Sequence, residues 1–198
     1  KRKRRMQAVE KANGDFGDDW TPDADGMCSR KAARVVLIDP EGRVLLVHGH
    51  DIDDSEDSWW FTVGGGLGDD RPREGAVREL HEETGLQVAP SRLTGPVLLR
   101  EEKFYFAART VLQNEQFFLL YASWEEVNSV RPGYDLTALE QETLDEFRWW
   151  SLEEIRAAQA EGETFYPAAF PDLLETWWPR WDGVCRSVVE GSVHDAGG

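Results

Sequence analysis

Cysteine is nearly absent from this chain: Cys28 and Cys185 stand 157 positions apart, with no C-x-x-C spacing, and only four histidines accompany them. That scarcity excludes a disulfide framework and argues against a zinc site, and it fits a reducing compartment. Long apolar runs are missing as well. None approaches the roughly 20 residues of a spanning helix, and the opening residues lack the charged, apolar and small-residue zones of a signal peptide. The expectation is a cytoplasmic protein without a membrane partner. Positive charge is also short: five of the 22 basic residues sit in the opening KRKRR, so the rest of the chain sets 17 basic against 38 acidic residues. Such a body repels polyanions, so no nucleic-acid partner is expected, and an anionic substrate requires an intermediary cation.

What is present is enough for one folded unit. The 198 residues include 40% hydrophobic positions and nine tryptophans, sufficient for one packed domain. Residues 1–28 mix basic and Gly/Asp/Pro-rich stretches without hydrophobic periodicity and read as an extension. Residues 29–182 read as the domain and 183–198 as a polar tail. Strands are expected over 30–39 and 43–49, separated by the Pro40-Glu41-Gly42 turn, with an acidic loop over 50–58. Further strands are expected at Leu86–Val88, in the 95–107 stretch and at 115–124. The last run is apolar on both faces, as in a central strand. Residues 128–137 read as loop. Ser151 with Glu154 three positions later forms a capping box that starts a helix, and PDLLETWWPRW should form another. Strands and helices alternate without repeated βαβ units, which points to an α+β protein: an α/β/α sandwich whose central mixed sheet is flanked by helices.

From Pro72 to Thr84 the composition is helical, with proline in the first turn and Gly85 as the stop. Glu79, Glu82 and Glu83 stand at i, i+3 and i+4 on that helix and so share a face, while Ala76, Val77 and Leu80 lie on another, ready to pack against the sheet. Carboxylates this close, if shielded from water, require a cation. An all-oxygen ligand set suits Mg²⁺ or Mn²⁺. The zinc-protease pattern H-E-x-x-H fails here, because Gly85 occupies the place of the second histidine.

The spacing around the glutamates carries more. Gly64, five residues, Asp70, seven residues, Arg78-Glu79-Leu80, one residue, Glu82-Glu83, one residue and Gly85-Leu86 resemble the Nudix box of MutT-like hydrolases, G-x5-E-x7-R-E-U-x-E-E-x-G-U. The one departure is Asp70 for Glu, a side chain one methylene shorter, which puts its bracing role in question. WWFTVGGG before the box and RWWSLEEI and Tyr166-Pro167 after it extend the resemblance over roughly residues 30–175.

The resemblance implies a Nudix pyrophosphohydrolase that cleaves the diphosphate linkage of a nucleoside di- or triphosphate derivative, with Mg²⁺ or Mn²⁺ and water attack on phosphorus. It implies Glu82 and Glu83 as principal metal ligands, Glu79 as a further ligand or base, and Arg78 as their orienting group. The Gly64-Gly65-Gly66 turn would let backbone approach metal and substrate, with Gly64 counted among the metal ligands. Glu140 is the candidate for a further glutamate from a later loop, with Glu115 and Glu142 as alternatives. Trp60 and Tyr134 are candidate platforms for the base, with Trp59, Phe104 and Phe106 behind them. His48 and His50 could reach phosphate. The alternative is a Nudix-fold module that binds nucleotide without cleaving it. A prenyl-diphosphate isomerase ranks below both, because neither cysteine is well placed. Either a monomer or a homodimer is compatible with the Trp-rich end.

Overall fold

Val35-Val36-Leu37-Ile38 is apolar on successive positions, so whatever strand contains it must be covered on both faces. In the computed structural model, which describes residues 21–22, 27–51, 54–106 and 109–192, that strand lies inside the sheet. The strands are β1 (Thr21–Pro22), β2 (Cys28–Ile38), β3 (Val44–Asp51), β4 (Asp54–Gly66), β5 (Thr94–Phe106), β6 (Arg109–Tyr121), β7 (Leu144–Trp150) and β8 (Arg186–Ser192). The helices are α1 (Pro72–Thr84), α2 (Trp124–Ser129), α3 (Ala138–Thr143), α4 (Leu152–Ala160) and α5 (Phe170–Trp177). The sheet runs β7-β3-β4-β2-β6-β5-β8, with β1 beside β2. β2 pairs parallel with β6 and β5 parallel with β8, while the other pairings are antiparallel, so the sheet is mixed.

Alternation along β2 sends its residues into two cores. Ala33, Val35 and Leu37 meet Leu67, Ala76 and Leu80 beneath α1. Val36 and Ile38 meet Ile155 of α4 and Phe170, Leu173, Leu174 and Trp177 of α5. Those four α5 residues occupy positions i, i+3, i+4 and i+7, one apolar stripe. Trp177 is fully buried, stacks edge-on against Phe170 at 5.9 Å, and its carbonyl accepts a hydrogen bond from Tyr121 Oη at 2.6 Å. The molecule is therefore the expected three-layer α+β arrangement. Among the described residues, no helix is long and apolar enough to cross a membrane.

Five local readings change. Gly64-Gly65-Gly66 is not a turn but the end of β4, paired with Arg34, Ala33 and Ala32 of β2. Residues 54–58 belong to β4, because the β3–β4 hairpin runs out to the Asp51–Asp54 pair and the ladder satisfies backbone groups whatever the side-chain charge. Leu86–Val88 is irregular, and Leu86 reaches the core from the turn after α1. Trp124–Ser129 is a helix, started by a capping box in which Ser123 and Glu126 bond reciprocally. The segment 183–198 is not simply a tail: Arg186–Ser192 pairs with β5, with Val188 against the core. The proposed extension at 1–28 lies largely outside the described residues.

Trp177→Ala should destabilise the protein by about 3–5 kcal/mol, since it empties the centre of the α5 core. Chemical denaturation would register this as a lower midpoint with an unchanged slope.

Candidate active site

Helix α1 begins with proline in its first turn and stops at Gly85, whose N–H bonds the His81 carbonyl at 2.7 Å. Burying Ala76 and Leu80 on the sheet turns Glu79 and Glu83 towards the glycine end of β4. There the chain must pass very close. Gly64 sits at φ 135°, and a Cβ on it would lie 2.2 Å from the Ala33 carbonyl oxygen. A Cβ on Gly65 would lie 2.5 Å from a Glu79 carboxylate oxygen. Gly64 therefore lets β4 lie against β2 and Gly65 lets it lie against Glu79, and the Gly64 N–H donates to Glu83 Oε2 at 3.3 Å.

The loop after α2 brings in the third carboxylate. The N–H groups of Arg131, Gly133 and Asp135 each donate at 2.7 Å to the carbonyls of Thr84, Glu83 and Glu82 respectively, satisfying the C-terminal end of α1. Two residues later Thr137 caps α3, and Glu140 Oε2 accepts from both its N–H and its hydroxyl. Glu140 is thereby carried to the α1 glutamates. One carboxylate oxygen from each of Glu79, Glu83 and Glu140 lies within 4.8 Å of the others.

Glu82 is outside that group. It is half-exposed, and its Oε2 accepts from Arg78 Nη1 at 3.1 Å. Arg78 also donates from Nη1 to Glu79 Oε1 at 2.7 Å, from Nε to Asp70 Oδ2 at 2.8 Å and from Nη2 to the Gly66 carbonyl at 2.9 Å. The shorter side chain at position 70 thus still reaches the arginine. Its carboxylate partners outweigh the cost of burial and hold Arg78 firmly charged.

Other candidates lie elsewhere. Trp60 is only 5% exposed and belongs to the core, packed against Trp150 at 4.8 Å and Phe165 at 6.4 Å with its Nε1 donating to Glu163. An indole enclosed on these sides is no platform for a ligand. Tyr134 remains at the rim, 45% exposed, beside His81 and under Arg131, whose guanidinium is 4.4 Å from the ring centroid. Trp59 is half-buried and edge-on to Tyr166, and the side chains of Phe104 and Phe106 lie outside the described residues. The Gly64 carbonyl, counted among the metal ligands, accepts from Arg34 Nη1 at 2.8 Å. Glu115 is locked between Arg34 and Arg100. Glu142 is exposed. His48 and His50 both bond Asp145 Oδ2, at 3.1 and 2.9 Å, bridging β3 to β7.

Arg34 and Arg100 are the residues the sequence reading passed over. Arg34 interrupts an apolar strand on the same alternation as Val36 and Ile38, and a charge there signals a buried partner. That partner is Glu115, which also accepts from Gln113 Nε2 at 2.8 Å. Arg100 bonds Glu102 and Glu190 as well.

Burial and charge set the carboxylates apart. Burial raises the Glu79 pKa, partly opposed by Arg78. Burial drives Glu83 well above the usual carboxylate range. Arg34 pulls it back, while Glu79 and Glu140 push it up. Burial would raise Glu115 too, but Arg34 and Arg100 outweigh it and hold it below the usual value. At an effective dielectric near 20, two full charges 4.8 Å apart repel by about 3.5 kcal/mol. This donor set, all oxygen and mutually repelling, fits a hard divalent cation such as Mg²⁺ or Mn²⁺.

A family model described as NUDIX domain matches residues 29–173. Among solved structures, the chain is 24% identical to a MutT protein from Methanosarcina mazei Go1, covering 74% of this chain and 91% of that one with a TM-score of 0.46. It is 19% identical to a NUDIX hydrolase from Nitrosomonas europaea, covering 77% and 92% with a TM-score of 0.49. It is 16% identical to a C. elegans Ap4A hydrolase in a binary complex, covering 74% and 93% with a TM-score of 0.46.

A carboxylate whose folded pKa is raised costs stability as pH climbs from its unfolded value to its folded one. Without divalent cations, the contribution of Glu83 to the melting temperature should therefore fall as pH rises above the ordinary carboxylate range. Glu83→Gln should remove that fall and melt above the wild type at pH above that range in chelator. Added Mg²⁺ should stabilise the wild type but not the variant, as differential scanning calorimetry would read directly.

Proposed function

The chain belongs to the NUDIX domain family of pyrophosphate-bond hydrolases, and from that premise we propose that it cleaves the diphosphate linkage of a small nucleotide: a nucleoside di- or triphosphate derivative. The observation that carries this reading is the meeting of Glu79, Glu83 and Glu140 within 4.8 Å, two of them buried. These three would hold Mg²⁺ or Mn²⁺. When bound, the cation would supply charge neutralisation for the diphosphate and a lower pKa for the attacking water.

The protein's own groups divide the remaining work. Arg78 holds Asp70, Glu79, Glu82 and the Gly66 carbonyl from one guanidinium, so helix and the glycine end of β4 keep a fixed relation. Glu79, held by Arg78 Nη1 and set beside Glu83 and Glu140, is the residue we assign to accept the proton from water. Glu82 serves at the half-exposed edge, where its charge steadies Arg78. Tyr134 offers an exposed ring at the same rim for a base to stack on. With 17 basic against 38 acidic residues after position 5, the body favours a small substrate that arrives with its cation over a polymeric one. Asp70, the one departure from the box, retains a 2.8 Å bond to Arg78, which favours cleavage over binding alone. We take the operating unit to be residues 29–182 extended by β8, working in the cytoplasm.

The test is hydrolysis of a panel of nucleoside triphosphates, nucleotide sugars, ADP-ribose and dinucleoside polyphosphates with Mg²⁺ or Mn²⁺. The wild type should turn over at least one class only when metal is present. Glu83→Gln and Glu79→Gln should each lose more than the about 10–100-fold typical of removing a group behind a metal ligand. Absence of turnover across the panel, with nucleotide bound tightly, would overturn hydrolysis in favour of sensing.

A further inference from the structure

Arg34 lies on β2 opposite Gly64 of β4, on the sheet face away from α1, and no hydrogen bond or ion pair joins it to the α1 carboxylates. Its guanidinium is nevertheless spent on the glycine end of β4. Nη1 donates to the Gly64 carbonyl at 2.8 Å and to the Thr62 carbonyl at 3.4 Å, while Nε donates to Glu115 Oε1 at 2.8 Å. Glu115 is itself fixed from two further directions, by Arg100 Nη1 at 2.6 Å and Gln113 Nε2 at 2.8 Å. A rigid carboxylate thus orients the guanidinium, and the guanidinium holds a peptide carbonyl. The N–H of that same residue, Gly64, donates to Glu83 Oε2 at 3.3 Å. Gly64 has the left-handed φ of 135° and no side chain to anchor it, so its orientation depends on what holds its polar groups.

We propose that Arg34 is a positioning residue for Glu83, acting through Gly64, with Glu115 as the group that aims it. The proposal rests on the reading of Glu83 as a ligand of a divalent cation. Arg34 sets where the Gly64 N–H points, that N–H selects the rotamer of Glu83, and the rotamer decides whether its oxygen joins those of Glu79 and Glu140. Groups behind a metal ligand act on affinity in this way. The charge of Arg34 acts in the opposite sense, since a nearby cation disfavours binding of another. Removing the charge alone would tighten metal binding, whereas removing the hold on Gly64 weakens it. The two roles are therefore separable by sign.

The experiment is titration of the full chain with Mn²⁺ alone, followed by electron paramagnetic resonance, on wild type, Arg34→Lys, Arg34→Met and Leu174→Ala. Lysine keeps the charge but lacks the planar fork that spans Glu115 and Gly64. Leu174→Ala lowers stability from the α5 core and leaves the glycine end of β4 intact. Arg34→Lys should bind Mn²⁺ about 10–100-fold more weakly and Arg34→Met less weakly than that, because it also loses the opposing charge, with Leu174→Ala binding as wild type does. Unchanged or tighter binding in folded Arg34→Lys overturns the proposal, whether or not Arg34→Met folds. So does an equal loss in Leu174→Ala, which would mean that stability alone is being read. A wild type that binds no Mn²⁺ overturns both this proposal and the functional reading. Weakened Arg34 variants in a protein that hydrolyses nothing in the panel would leave the positioning role standing and remove only the hydrolase.

Discussion

Glu79 and Glu83 are carboxylates withdrawn from water and set against each other with Glu140 beside them, and most of the surrounding architecture answers that placement. Like charges in a shielded site separate, protonate or find a cation. Separation is prevented, because α1 is fastened to the sheet by Ala76 and Leu80 and its last carbonyls are fastened to the 131–135 loop. Positive charge is supplied from two sides: Arg78 touches Glu79 directly, and Arg34 acts on Glu83 across the glycine end of β4. Neither arginine neutralises the cluster, since each is shared with other carboxylates. The deficit that remains is what a divalent cation, held as proposed, would meet.

The same constraint explains the composition of the sheet. Towards α4 and α5, the face built from Val36, Ile38, Phe117 and Leu119 is an ordinary apolar core. Further along the same alternation it changes to Arg34, Glu115, Arg100 and Glu102, a buried ionic ladder across three strands. A buried ion pair is a weak source of net stability, since desolvation offsets the attraction. Its value lies in direction: guanidinium forks and carboxylates fix each other's angles, which apolar side chains do not do.

Much of this was legible in the sequence. The helix over Pro72–Thr84, its glycine stop, the Ser151 capping box and the central burial of the strand with Phe117–Leu120 all followed from short-range chemistry that packing had no reason to override. Glu140 could be picked out by residue type and by its place before the RWW strand, but its convergence with α1 depends on loop hydrogen bonds that leave no trace in composition. Trp60 misled because aromatic character is the same for a ligand platform and a core residue. Only the packing of Trp150 and Phe165 around it separates the two. The Ser123–Glu126 box was readable by the rule applied to Ser151, and the strong apolar run before it masked it. Arg34 was the most informative residue passed over, because a charge on the inward alternation of a central strand implies a buried counterpart far away in sequence.

The strand β8 enters this picture from the far end of the chain. Glu190 accepts from Arg100 Nε at 2.6 Å and, through its other oxygen, from the Ala168 N–H at 2.8 Å, so the ladder begun at Arg34 ends on a residue synthesised 156 positions later. During translation, β2, β6 and β5 all leave the ribosome with Arg100 lacking this partner, and the edge of β5 stays open until β8 arrives. The β5–β8 pairing is therefore the last of the sheet to become possible in chain order. Until it forms, an unpaired strand edge stands beside an incompletely paired guanidinium, which makes that edge the place where chaperone contact or misassembly would begin.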